Sequence, residues 1–163
     1  MTVPYEYFVT MTVGYQQERP ANLWRKQGEE WEFLSLIDWQ WRNVKDTNAK
    51  YPPMPEKLRA VSAERAREME ADRKSWVIHW AHYADEADWR DGEKPTTVVR
   101  RRHSPENRYD EVFRRANTWG PTTAVYEFTH SRASNPPHLV EISANEAERI
   151  LQELRGISGA TDL

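Results

Sequence analysis

The segment from Ala63 to Trp89, AERAREMEADRKSWVIHWAHYADEADW, sets the architecture, because two periodicities compete within it. Ala66, Met69, Trp76, Val77, Trp80, Tyr83, Ala84 and Ala87 recur at three- and four-residue steps, an apolar stripe along one side of a helix. Ser62 stands where an N-cap is wanted, and Glu64 lies in the first turn, where the helix dipole favours an acid. Arg73 interrupts the stripe. The spacing predicts one long helix over about 63–89. Straight, it would run about 40 Å, against about 30 Å for the width of a compact domain this size. Such a helix must break or project. The competing reading takes Trp76 to Tyr83 as a strand, since a short apolar run fits either element.

Toward the C-terminus, Asp91-Gly92 reads as a turn and Thr96 to Arg102 as a β-branched strand ending in three arginines. Thr122 to His130 alternates, with Ala124, Tyr126, Phe128 and His130 on one face, and predicts a strand. Asn135-Pro136-Pro137 marks a loop, after which His138, Val140 and Ile142 share a strand face. Ser143-Ala144-Asn145-Glu146 is a capping box opening a helix over about 144–155. Its stripe is Ala147, Ile150, Leu151 and Leu154, and Gly156 is its C-cap. The tail 157–163 is expected to fray.

Toward the N-terminus, Tyr5 to Val13 alternates as a half-buried strand. Asn22 to Lys26 and Trp31 to Trp41 read as two strands joined through a turn at Gln27-Gly28. Tyr51-Pro52-Pro53-Met54-Pro55 can only be a loop, partly polyproline II. Lys57 to Val61 is a brief strand. Together these elements predict a single α+β domain over 1–156. Its sheet is mostly antiparallel, with five to seven strands, and both helices pack on one face.

With 163 residues, the chain is long enough to bury a core unaided. It has no cysteine, which excludes disulfides, thiolate catalysis, iron–sulfur clusters and cysteine-based zinc sites. No apolar run approaches the roughly 18 residues that a spanning helix needs, so no membrane role is expected. No signal peptide is visible in Met1 to Tyr15, which predicts a cytoplasmic chain. The net charge of −3 supplies no global attraction for nucleic acid. The charge is uneven, however. Ala63 to Asp91 holds eight acids and five bases, net −3; Lys94 to Arg115 holds seven bases and three acids, net +4.

Three constellations could carry chemistry. His79, His82 and Glu86, at helical spacing, are metal-ligand types, although a solvated polar face is the simpler explanation and no metal is expected. His130 and His138 continue the apolar rows of two adjacent strands; facing each other, they could act as acid and base, with Arg114 holding an anionic substrate. Arg100, Arg101, Arg102, Arg114 and Arg115, with Trp119, mix cations and a stacking ring as single-stranded nucleic-acid binders do. No motif calls for a cofactor.

Eight tryptophans exceed what one core of this size normally uses. Surplus indoles belong at interfaces, and Trp24, Trp41 and Trp89, at element ends, are the candidates. The leading expectation is a non-catalytic module that recognises a protein partner through Trp24, Trp41, Trp89, Arg100, Arg102, Arg114, Arg115 and Trp119. The same sticky face would suit a homodimer. The rivals are the two-histidine enzyme and a nucleic-acid binder working through Arg100 to Arg102.

Tyr5-Glu6-Tyr7-Phe8-Val9, Trp24-Arg25 through Trp31-Glu32-Phe33-Leu34, and the strand plus capped helix from Leu139 to Leu154 resemble small uncharacterised bacterial proteins. They also resemble the sheet-rich immunity-protein-like domains found beside toxins. The resemblance covers about a third of the chain and implies an intracellular binding role without assigning any site residue.

Overall fold

The computed structural model describes residues 3–10, 20–46, 55–105, 107–130 and 134–163, and over these the chain is α+β. It divides into two compact units, Met1–Trp76 with Arg102–Arg108, and Val77–Arg101 with Tyr109–Leu163. Each is built on its own five-stranded antiparallel sheet, so the expected single sheet is two.

In the first unit, β1 (Glu6–Thr10), β2 (Asn22–Gln27), β3 (Glu30–Ser35), β4 (Gln40–Asn43) and β5 (Leu58–Val61) are ordered β4-β3-β2-β1-β5. The start of the Tyr5–Val13 strand is present as β1; Met11 and Val13 lie outside the described residues, as do residues 51–54 of the proline-rich loop. The Trp31–Trp41 strand is a correction. It is two antiparallel strands, Leu34 opposite Trp41, joined by a turn over residues 36–39 in which Trp39 takes the left-handed region at φ 61. The odd-numbered apolar row changes face at the turn, Trp31 and Phe33 on one side and Trp41 beside Leu34 on the other; because both faces are apolar the sequence alternates straight through and conceals the turn. Trp39 holds this conformation because its indole is anchored, donating from Nε1 to the Glu70 carbonyl at 2.9 Å.

Both faces of this sheet are apolar. On one, Val9, Leu23, Leu34 and Leu36 pack with Ala66 and Met69 of α1 (Ala63–Ala71) and with Trp76. On the other, Trp24, Phe33 and Val44 gather with Phe8, Trp31 and Leu58.

The long helix is the main correction. Ser62 caps α1 as expected, accepting from the Arg65 amide at 3.1 Å, but α1 ends at Ala71. Asp72 leaves helical geometry (φ −113, ψ 69), and residues 73–76 form a 3-10 turn. The Trp76 indole folds back and donates to the Met69 carbonyl at 2.9 Å, satisfying a helix-end acceptor. The chain then enters the second unit as β6 (Ile78–Tyr83), the strand that had been the competing reading, followed by α2 (Glu86–Arg90). β6 is central and packed on both faces, so its apolar residues do not alternate cleanly and imitate a helical stripe.

The second sheet is completed by β7 (Thr97–Ser104), β8 (Asn107–Phe113), β9 (Trp119–Pro121) and β10 (His138–Ile142), in the order β10-β6-β7-β8-β9. Thr122 to His130 is not a strand. It is α3 (Ala124–Thr129), whose buried Ala124 and Val125 pack on Val99 and Leu139. On the other sheet face, α4 (Ala144–Arg155) sets Ala147, Ile150 and Leu151 against Ala81, Val98 and Phe113. Helices therefore cover both faces, not one. The last residues are pinned rather than frayed. The Ala160 carbonyl accepts from Trp119 Nε1 at 2.8 Å, and the Glu148 carboxylate accepts from the Thr161 amide at 3.1 Å and hydroxyl at 2.8 Å.

The α4 caps follow the sequence. Ser143 Oγ accepts from the Glu146 amide at 3.1 Å, and Gly156 takes φ 66. Ser143→Ala is expected to cost about 1 kcal/mol, read as a lower urea midpoint; Ser143→Asp should keep most of the stability.

Candidate functional site

The eight indoles meet very different environments. Trp24 is only 3% exposed; its ring meets Trp31 and Phe33 edge-on, and Nε1 donates to Thr10 Oγ1 at 2.6 Å. Trp41 is half-buried, with Nε1 3.1 Å from the Glu70 carboxylate and the Arg25 guanidinium 4.2 Å above its ring. Trp119 packs edge-on to Phe113 at 5.2 Å. Trp24 is interior, which corrects its assignment as a surface anchor, while Trp41 and Trp119 are half-buried against side chains of their own unit. The two sheets, packed on both faces, give the extra rings somewhere to go.

Trp89, on α2, is the exception at 41% exposure. Its ring stacks on His138, the first residue of β10, at 4.3 Å between centroids and 27° between planes. Phe128 of α3, 37% exposed, meets the same imidazole edge-on at 5.4 Å, and Tyr83 lies 6.4 Å away across the β10–β6 pair. His138 is thus the hub of three aromatic rings contributed by α2, α3 and β6. Two residues before Phe128 and so about half a turn round α3, Tyr126 is 61% exposed and stacks instead on His130 at 4.1 Å.

Tyr83 also lines a cleft of about 110 Å³ with Lys94, Pro95, Glu146, Arg149, Ile150, Glu153 and Leu154. Arg149 is held between Glu146 and Glu153. The hydrogen bond that Arg149 donates to Glu146 makes the guanidinium hold its proton more firmly, and in turn Arg149 keeps the Glu146 carboxyl below its ordinary range.

The two-histidine arrangement does not form as expected, because its first strand is a helix. His130 caps α3, its Nδ1 lying 3.0 Å from the Tyr126 carbonyl, while His138 stacks on Trp89. The helical metal face is also corrected. His79 and His82 lie on opposite faces of β6, and Glu86 opens α2. Among the described residues no three His, Cys, Asp or Glu side chains gather as metal ligands. His79 is buried opposite Arg100 and Ile142.

Burial holds the His82 imidazole below its ordinary value, against the opposing pull of its own backbone and of Glu127. Its Nδ1 lies 2.5 Å from Thr96 Oγ1. The unfolded chain therefore binds this proton more readily than the folded one. Stability is expected to fall as pH drops below about 6.5 and to level off beneath the folded value. Urea titrations at several pH values should show this slope, and His82→Gln should flatten it.

The arginine strand is divided between its faces. Arg100, 7% exposed, pairs with Glu111 at 3.0 Å and lies 4.1 Å over the Trp119 ring. Arg101, on the other face, grips Asp110 at 2.7 and 3.0 Å and lies 5.6 Å from the Trp80 ring centroid. Arg102 is half-buried. Arg114 and Arg115 are exposed, the Arg114 guanidinium lying where a side chain on Gly120 would sit. An open face combining Arg100 with Arg114 and Arg115 is therefore not formed, because Arg100 is inside.

Sequence reasoning missed Tyr83, Tyr126 and Phe128. The available signal was Gly120-Pro121-Thr122-Thr123, a break followed by hydroxyl residues ahead of Ala124-Val125, which suits a helix start. No protein-family model matches the chain, and neither does any curated protein or solved structure. No helix among the described residues is long and apolar enough to cross a membrane.

Proposed function

We propose that this protein is a non-catalytic recognition module that binds another polypeptide through the aromatic patch of Trp89, Phe128 and His138. One observation carries the reading. Of eight tryptophans, seven are buried or half-buried, while Trp89 stands 41% exposed on an imidazole that other rings hold in place. A rigid, exposed indole anchor flanked by further rings is the composition that concentrates binding energy at protein interfaces. Arg114 and Arg115 are outside this reading, and the buried Arg100 takes support from a nucleic-acid role.

The test uses the full chain as bait in extract of its native cells. A Trp89→Ala/Phe128→Ser bait is expected to lose the partner that the wild type retains, and an Arg114→Ala/Arg115→Ala bait to keep it. Retention by the first bait, or loss by the second alone, would overturn the reading.

A further inference from the structure

The protein's own tryptophans point to what the exposed one binds. Three half-buried indoles repeat one arrangement, a ring, an arginine over it and a carboxylate on that arginine. Arg25 lies 4.2 Å from the Trp41 ring and 2.8 Å from Glu32. Arg100 lies 4.1 Å from Trp119 and 3.0 Å from Glu111. Arg101 lies 5.6 Å from Trp80 and 2.7 Å from Asp110. The negative face of the indole attracts the guanidinium, and the acid completes its hydrogen bonds.

At Trp89 the ring is present, and acids stand close to it along the chain. Asp85 to Glu93 holds five acids against one base, Arg90. That base is taken up within α2, paired to Glu86 at 2.7 Å. Asp91 and Glu93 are exposed, and Asp88 precedes the indole directly. Among the described residues no cation of the chain lies over Trp89; an imidazole backs the ring instead.

Resting on the recognition role above, we infer that the partner presents a basic linear segment whose arginine covers the Trp89 ring and is met by Asp88, Asp91 and Glu93. The charge of the patch selects a cationic polypeptide and disfavours nucleic acid and anionic lipid, whose phosphates these carboxylates would repel.

The probe is a short glycine–serine peptide carrying three arginines, compared with the same peptide carrying citrulline, which keeps the shape and removes the charge. It is titrated into the full chain, and the indole signals are followed by NMR, that of Trp89 being assigned with Trp89→Phe. The arginine peptide should shift the Trp89 signal and bind about tenfold more tightly than the citrulline peptide. Trp89→Ala, and separately Asp88→Asn/Asp91→Asn/Glu93→Gln, should each weaken binding about as much. Glu64→Gln/Glu68→Gln, on α1, should leave it unchanged. Equal binding of the two peptides, insensitivity to either patch variant, or weakening by the α1 variant would overturn the inference. So would self-association through Trp89 in sedimentation, which would make a second copy the occupant. If the bait experiment succeeds while the peptide titration fails, recognition stands and only the basic chemistry falls. If the Trp89→Ala/Phe128→Ser bait keeps its partner, the recognition role itself is lost.

Discussion

Trp24→Ala will lower the stability of the chain by about 3–5 kcal/mol, the usual cost of deleting a buried large aromatic. The side chain is almost sealed from solvent, fills the centre of the Trp24, Phe33 and Val44 cluster, and donates to the Thr10 hydroxyl. Removing it leaves a cavity, two rings without their edge contact and an orphaned Thr10 acceptor. Trp24→Phe keeps most of the volume and should cost appreciably less. Urea denaturation followed by far-UV circular dichroism separates the two. A loss below about 1 kcal/mol for the alanine variant would return Trp24 to the surface role that its place near a strand start first suggested.

Arg100→Ala will cost a similar amount, about 3–5 kcal/mol, by a different mechanism. The guanidinium is inside, paired to Glu111 and stacked on Trp119, so truncation strands a carboxylate in a poorly solvated place and strips one face of the ring. Arg100→Lys retains charge but not the planar stack, and should recover only part of the loss. The double variant Arg100→Met/Glu111→Leu removes both charges and fills the space; it should recover most of the stability. Denaturation midpoints of the three variants check the order. If Arg100→Ala were neutral, the pair would be a solvent-exposed one and the nucleic-acid reading of this strand would regain its footing.

Elements with local, one-sided signals were legible in the sequence. The N-cap at Ser143, the Gly156 terminator, the Gly28 turn and the N-cap at Ser62 each rest on short-range chemistry and stand where they were read; only the return half of the capping box differs, the Glu146 carboxylate pairing with Arg149 instead. Misreadings arose where burial is two-sided. β6 packs on both faces, so its sequence carries no clean alternation, and Trp76 to Tyr83 extended the α1 stripe by coincidence of spacing. At residues 36–39 a turn of even length switches the odd-numbered row from one face to the other, and the apolar row runs on in the sequence only because both faces are buried. In α3, six residues are too few for a helical period to outvote an alternation of two.

The site was half legible. An excess of indole was visible as composition, and Trp89 was among its candidates, but which rings escape burial depends on how many apolar faces exist. One sheet with one covered face would leave rings over; two sheets packed on both faces absorb seven of the eight. His138 was singled out for the wrong partner. Its neighbours Trp89, Phe128 and Tyr83 come from three separate elements, a meeting that no local pattern encodes.

The central claim is that the Trp89 face meets another polypeptide in the cell. A photo-crosslinking amino acid placed at Phe128, which is exposed and meets the His138 imidazole on which Trp89 stacks, tests it most directly, with the same residue placed at Arg65 on α1 as the comparison. After irradiation of living cells, the account predicts a discrete heavier adduct from position 128 that is absent from position 65 and disappears when Trp89→Ala is added. The same adducts from both positions, or none from position 128 with the protein abundant and folded, would contradict it.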